Sequence, residues 1–264
     1  MAALAIIDAL FCIPKDTRIT QVADCTSFNQ DISSRMMADG ISCAVLAPCM
    51  CRQCQNQWNC ADRKTQEVAD AVNKNPKQLR GLASYDPLRI GDSLRWIDDT
   101  INRGDLVGAY AQAESCVAGL DAARMYPLYG LCAKLRAPMV LEFGSRERWH
   151  HHRPEVEVLA ADFPELEILL APPPQVGTES IIRMLERFPR IAFLLNPRDL
   201  VDDALLCEYV ELEGHSRVAF RSLPQTWAAA AETAAGIPLR SEAKHAFLFE
   251  NAARFFGFPV PQPL

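Results

Sequence analysis

Four thiols stand within twelve residues at Cys49-Met-Cys51-Arg-Gln-Cys54-Gln-Asn-Gln-Trp-Asn-Cys60. Thiolates are soft ligands that select zinc, copper(I) or an iron–sulfur cluster. Cys51 and Cys54 have the two-residue spacing that grips one ion, and Cys49 and Cys60 complete a four-thiolate set. The spacing is loose, because there is no second Cys-x-x-Cys pair and no tight ferredoxin run. A redox dithiol at Cys51 and Cys54, free thiols and disulfides are the competing readings. Cys12 and the run His150-His151-His152 are further possible ligands. The imidazole run also has a plainer reading, the favoured one, as an exposed basic loop leading into a helix.

A second set of groups points to acid–base or anion-binding chemistry. Glu142 ends an apolar run, Arg221 follows another, and Arg198 follows Asn196-Pro197. Two guanidinium groups beside a carboxylate either hold a carboxylate ligand or pair with their neighbours, and pairing is the simpler expectation. Glu142 and Arg221 are therefore the candidate catalytic residues. No Gly-x-Ser-x-Gly exists, so a serine-hydrolase triad has no support. No Gly-x-Gly-x-x-Gly or phosphate loop follows a strand, so no nucleotide cofactor is expected.

The whole chain sets the context. Its 264 residues carry 27 Lys+Arg against 33 Asp+Glu, a net charge of −6, with ten Cys beside five His. No predicted element has a basic stripe, which argues against nucleic-acid binding. The N-terminal residues lack a basic segment and Asp8 interrupts their apolar run, so no secretory signal is expected. No stretch approaches the roughly 18 apolar residues of a membrane span. A cytoplasmic setting follows as the expectation, and there thiols stay reduced.

Elements of two kinds must position these groups. Short runs rich in Val, Ile and Leu predict strands at 5–9, 42–46, 79–84, 106–111, 138–142, 167–171, 191–195 and 217–220, of the type buried on both faces of a parallel sheet. Amphipathic stretches predict helices at 32–39, 61–74, 90–103, 121–135, 153–163, 178–187, 202–212, 226–234 and 240–256. Eight strands alternating with helices over about this length predict a single (β/α)8 TIM barrel spanning 1–264. In such a barrel the cysteine-rich segment, Glu142 and Arg221 all lie at the C-terminal face, where active sites form. Cys43, Cys132 and Cys207 fall in a strand or helices and read as small buried hydrophobes.

The order of segments resembles the amidohydrolase-related family that includes aminocarboxymuconate semialdehyde decarboxylase. The resemblance runs through Ile-Ile-Asp-Ala at 6–9, the segment 37–48, Asn-Pro-Lys-Gln-Leu-Arg-Gly-Leu-Ala-Ser-Tyr-Asp-Pro at 75–87, Tyr-Pro-Leu-Tyr at 126–129, the segments 137–144 and 163–171, and Asn-Ala-Ala-Arg-Phe-Phe-Gly-Phe at 251–258. It implies an amidohydrolase-like barrel with a divalent metal held by His and Asp. This sequence departs from that pattern where the ligands belong. The first-strand pair reads Leu10 and Cys12, the fifth-strand His reads Glu142, the sixth-strand His reads Pro172, and Ser222 is followed by Leu223 instead of Asp. Leu and Pro offer no donor atom.

Two functions follow as expectations. The first is a degenerate barrel that has lost its metal centre. It acts as a non-hydrolytic binding protein or subunit of a homo-oligomer or paralogous pair, with zinc or an iron–sulfur cluster on the cysteine-rich segment. The second is an active metal-dependent hydrolase or decarboxylase of a small carboxylated or cyclic substrate. It uses a rebuilt Cys/His/Glu site with Glu142 as acid/base.

Overall fold

The computed structural model describes residues 5–12, 32–48, 60–113, 119–222 and 226–259, giving only the backbone of Cys12 and of 60–64. Eight strands are present: β1 Ile7–Cys12, β2 Cys43–Ala47, β3 Leu79–Ser84, β4 Gly108–Gln112, β5 Met139–Glu142, β6 Ile168–Ala171, β7 Ile191–Leu195 and β8 Val218–Phe220. All neighbours pair in parallel in the order β1 to β8. The helices are α1 Ile32–Ala38, α2 Cys60–Lys74, α3 Ile90–Asn102, α4 Tyr126–Leu135, α5 Arg146–Asp162, α6 Thr178–Arg187, α7 Pro197–Asp202, α8 Ala204–Tyr209, α9 Trp227–Ala235, α10 Ser241–His245 and α11 Asn251–Phe256. This is the expected barrel, nearly closed.

Alternate residues along each strand belong to two apolar layers, as the period of two requires. Ala44, Leu46, Met139, Leu141, Phe193 and Leu195 face the surrounding helices. Ile7, Ala9, Val45, Ala47, Leu82, Val140, Leu169, Ala192 and Ala219 form the inner layer. Phe255, Phe256 and Phe258 join that inner layer from α11 and the turn after it. Asn251 donates to the carbonyl of Val218 at the start of β8, and Arg80 of β3 donates to Gly257 O. The last helix therefore seals the N-terminal end, leaving the C-terminal end for the polar groups. Close strand–loop approach also needs Gly108, since a Cβ there would lie 2.5 Å from Pro138 O.

Three helical expectations are corrected. The helix expected at 153–163 begins seven residues earlier, at Arg146, where Ser145 caps it by accepting from Arg148 N at 3.2 Å. Pro154 lies inside α5. A buried stripe of Trp149, His152, Val156 and Leu159 explains the tolerance, because packing outweighs one lost backbone bond. Trp149 is clamped edge-on between Phe143 and Phe193, at 5.1 and 5.9 Å between ring centres. The helix expected at 202–212 is split at Asp203, whose carboxylate caps α8 through Leu206 N. The terminal helix is interrupted by a π turn at Ala246–Glu250.

Candidate active site at the barrel mouth

The mouth is built where four strands end. Glu142 closes β5 and lies in register with Gln112 of β4 and Ala171 of β6. Arg221 follows β8 and its backbone N–H donates to Leu195 O of β7 at 2.9 Å. The Arg221 side chain is buried. Its Nη1 meets Glu142 Oε1 at 3.4 Å, and its Nη2 donates to the carbonyl of Pro172 after β6. Tyr110, on the inner face of β4, donates its hydroxyl to Glu142 Oε2. One guanidinium thus bridges β5, β6 and β8, and one phenol ties β4 to the same carboxylate. Among the described residues, the buried Arg221 Nε has no hydrogen-bond partner. Asp199, which caps α7 from within, is pushed upward by burial and held back by its hydrogen bond from Asn196 N and by the Arg221 charge. The expected pairing of Glu142 with Arg221 is observed, whereas Arg198 is exposed.

The next residue along β8 serves a different purpose. Ser222 donates from its backbone N–H to Asp8 Oδ1 at 3.0 Å and from its hydroxyl to Asp8 Oδ2 at 2.5 Å. Trp227 Nε1 donates to the same Oδ2 at 2.8 Å, and Leu10 N to Oδ1 at 3.3 Å. Asp8 is completely buried. Burial pushes its carboxyl from 3.8 up to about 6, against the pull of all four donors. Among the described residues no backbone ladder joins β8 to β1, so this side-chain cluster is the stitch across the seam. Sequence reading passed over Asp8, although a lone carboxylate in an apolar strand was the available signal. Tyr110, one strand-period inside the mouth, was missed too.

The histidine run is not a loop. His150, His151 and His152 lie in α5, with His152 on its buried stripe. His152 Nδ1 is 2.8 Å from Glu155 Oε2, and that oxygen also accepts from Leu120 N at 2.7 Å. His151, His152 and Glu155 bring their ligand atoms within 4.8 Å of one another. Glu155 was not singled out from sequence, though it lies three and four residues after two of the histidines. Cys25, Cys49, Cys51, Cys54, Cys116 and Leu223 lie outside the described residues, as do the side chains of Cys12 and Cys60. Cys43, Cys132 and Cys207 are free thiols. Burial pushes Cys132 up to about 12, which makes it inert.

Among the described residues, two of the positions that the resemblance assigns to metal ligands offer no free donor atom. Leu10 is apolar and 3% exposed, Pro172 presents only its carbonyl, and that carbonyl already accepts from Arg221. The cation at this place is a guanidinium fixed in the protein.

No protein-family model matches the chain, and no curated protein matches it. Solved structures do. The 5-carboxyvanillate decarboxylase of Sphingomonas paucimobilis superposes with a TM-score of 0.69 at 13% identity, covering 97% of this chain and 100% of that one. The 2,6-dihydroxybenzoate decarboxylase from Rhizobium gives 0.68 at 16% identity, with 96% and 98% covered. The 5-carboxyvanillate decarboxylase of Novosphingobium aromaticivorans, complexed with manganese and 4-hydroxy-3-methoxy-5-nitrobenzoic acid, gives 0.69 at 16% identity, with 85% and 78% covered. At such identities the likeness is one of fold: this chain has the TIM barrel of those decarboxylases. Among the described residues, no helix is long and apolar enough to cross a membrane.

Proposed function

We propose that the chain is a carboxy-lyase of small hydroxylated aromatic carboxylates, working at the barrel mouth with Arg221 in place of a mouth metal. One observation carries the reading. A buried guanidinium with an unpartnered Nε stands beside Glu142 at the C-terminal end of a barrel whose fold is shared with decarboxylases of 5-carboxyvanillate and 2,6-dihydroxybenzoate. A guanidinium gripping the departing carboxylate would slow its loss. Arg221 therefore serves the ring-hydroxyl side of the substrate, where a phenolate oxygen is the better partner. The carboxylate then lies over apolar Leu10 and Pro172, where desolvation favours neutral CO2 over the anion. Glu142, held by Tyr110 and Arg221, is the acid/base group: it takes one proton from solvent and delivers it to the ring carbon, which keeps the electron pair of the breaking carbon–carbon bond as CO2 leaves.

The second reading is a non-catalytic barrel that binds the same carboxylates as a subunit or partner of another chain. It is supported by the two groups that Glu142 already engages, Tyr110 and Arg221. Both readings belong to a cytosolic protein with reduced thiols. Incubating the purified chain with 2,6-dihydroxybenzoate and 5-carboxyvanillate separates them. The enzymatic reading expects CO2 release that falls at least about tenfold in Glu142→Gln and in Arg221→Met. Binding by calorimetry without CO2 release establishes the second reading and ends the first.

A further inference from the structure

We propose a transition-metal site on α5, formed by His151, His152 and Glu155. It involves neither Glu142 nor Arg221 and does not depend on the proposed reaction. His151 and His152 lie four and three residues before Glu155, so each of them neighbours Glu155 on the helix. Their ligand atoms lie within 4.8 Å of one another. Around a tetrahedral ion with bonds of about 2.0–2.1 Å, ligand atoms are roughly 3.3 Å apart. The shortfall is small, and the exposed His151 ring can close it by rotation, whereas His152 is fixed in the interior.

His152 is 3% exposed and its Nδ1 lies 2.8 Å from Glu155 Oε2, so an ion seated there replaces the proton that those two atoms share. Glu155 is itself held by Leu120 N at 2.7 Å, so the donor set is anchored to the segment that follows β4.

The donor chemistry selects the ion. Two imidazoles and one carboxylate suit Zn2+, Ni2+ or Cu2+, while Mg2+ and Ca2+ prefer all-oxygen sites. Three protein ligands leave one position for water, and a bound ion would tie α5 to the chain entering α4.

The ten cysteines also bind such metals, so the test uses the full chain after its accessible thiols are alkylated with iodoacetamide. Titration with Ni2+ in a calorimeter is expected to show one ion per chain. Affinity should fall at least about tenfold in His151→Ala, an exposed position whose loss leaves the fold intact, and similarly in Glu155→Gln. Unchanged affinity in His151→Ala, or no binding after alkylation, overturns the site.

Discussion

Two consecutive residues at the end of β8 build opposite kinds of polar cluster. Ser222 belongs to a saturated one, in which both oxygens of Asp8 accept two hydrogen bonds from fixed donors. Arg221 belongs to an unsaturated one, where a buried guanidinium keeps a donor without a partner and its bond to Glu142 is long. The seam has nothing left to offer a ligand, and the mouth has. Buried polar groups that satisfy one another hold structure together, whereas a buried charge left partly unmet is the better sign of a binding function.

The strongest way to break this contrast is Asp8→Ala. It strands four donors in the interior and should lower stability by about 3–5 kcal/mol, measured by urea denaturation. A loss below about 1 kcal/mol would show that the seam is not the stitch described here. The pH dependence follows with the next largest effect. Between the ordinary 3.8 and about 6, native Asp8 keeps its proton while the unfolded chain loses it. Stability therefore falls as pH rises through that window, by about 3 kcal/mol, and this contribution is level above it. The fall should vanish in Asp8→Asn, and its persistence there would assign it to other groups.

The mouth answers differently. Replacing Arg221 by Met together with Glu142 by Gln should leave stability within about 1 kcal/mol, since removing both members of a buried pair is close to neutral. Binding of 2,6-dihydroxybenzoate should nonetheless weaken at least about tenfold, equal to about 1.4 kcal/mol. Calorimetry on a variant with an unchanged melting profile is the check. The smallest effect is Trp227→Phe, which removes one of four donors to Asp8 while keeping the tilted ring contact with Phe11. About 1 kcal/mol of stability should go, with no change in ligand binding.

Much of the barrel was readable from local pattern. The strands at 79–84 and 191–195 match their predicted limits, and six others differ by a few residues, because each is a short apolar run with polar ends. Helix starts were less readable. Pro154 and three histidines concealed the first turns of α5, since nothing local reveals that Trp149 fits between Phe143 and Phe193. The same limit applied to chemistry. Glu142 and Arg221 were found because they sit at strand ends, where barrel topology alone gathers side chains. Asp8 and Tyr110 acquire their roles from partners on other strands, and Asp8 from residues 214 and 219 positions away. Such pairings leave no periodic trace.

That separation also has a consequence for synthesis. At roughly 5–20 residues per second, the ribosome takes on the order of 10–40 s to travel from Asp8 to Ser222. Throughout that interval the first strand has been made, but the donors that settle its carboxylate have not. The Asp8 carboxyl is therefore settled long after its strand is made, and a nascent chain must keep it hydrated or shielded until Ser222 and Trp227 have emerged.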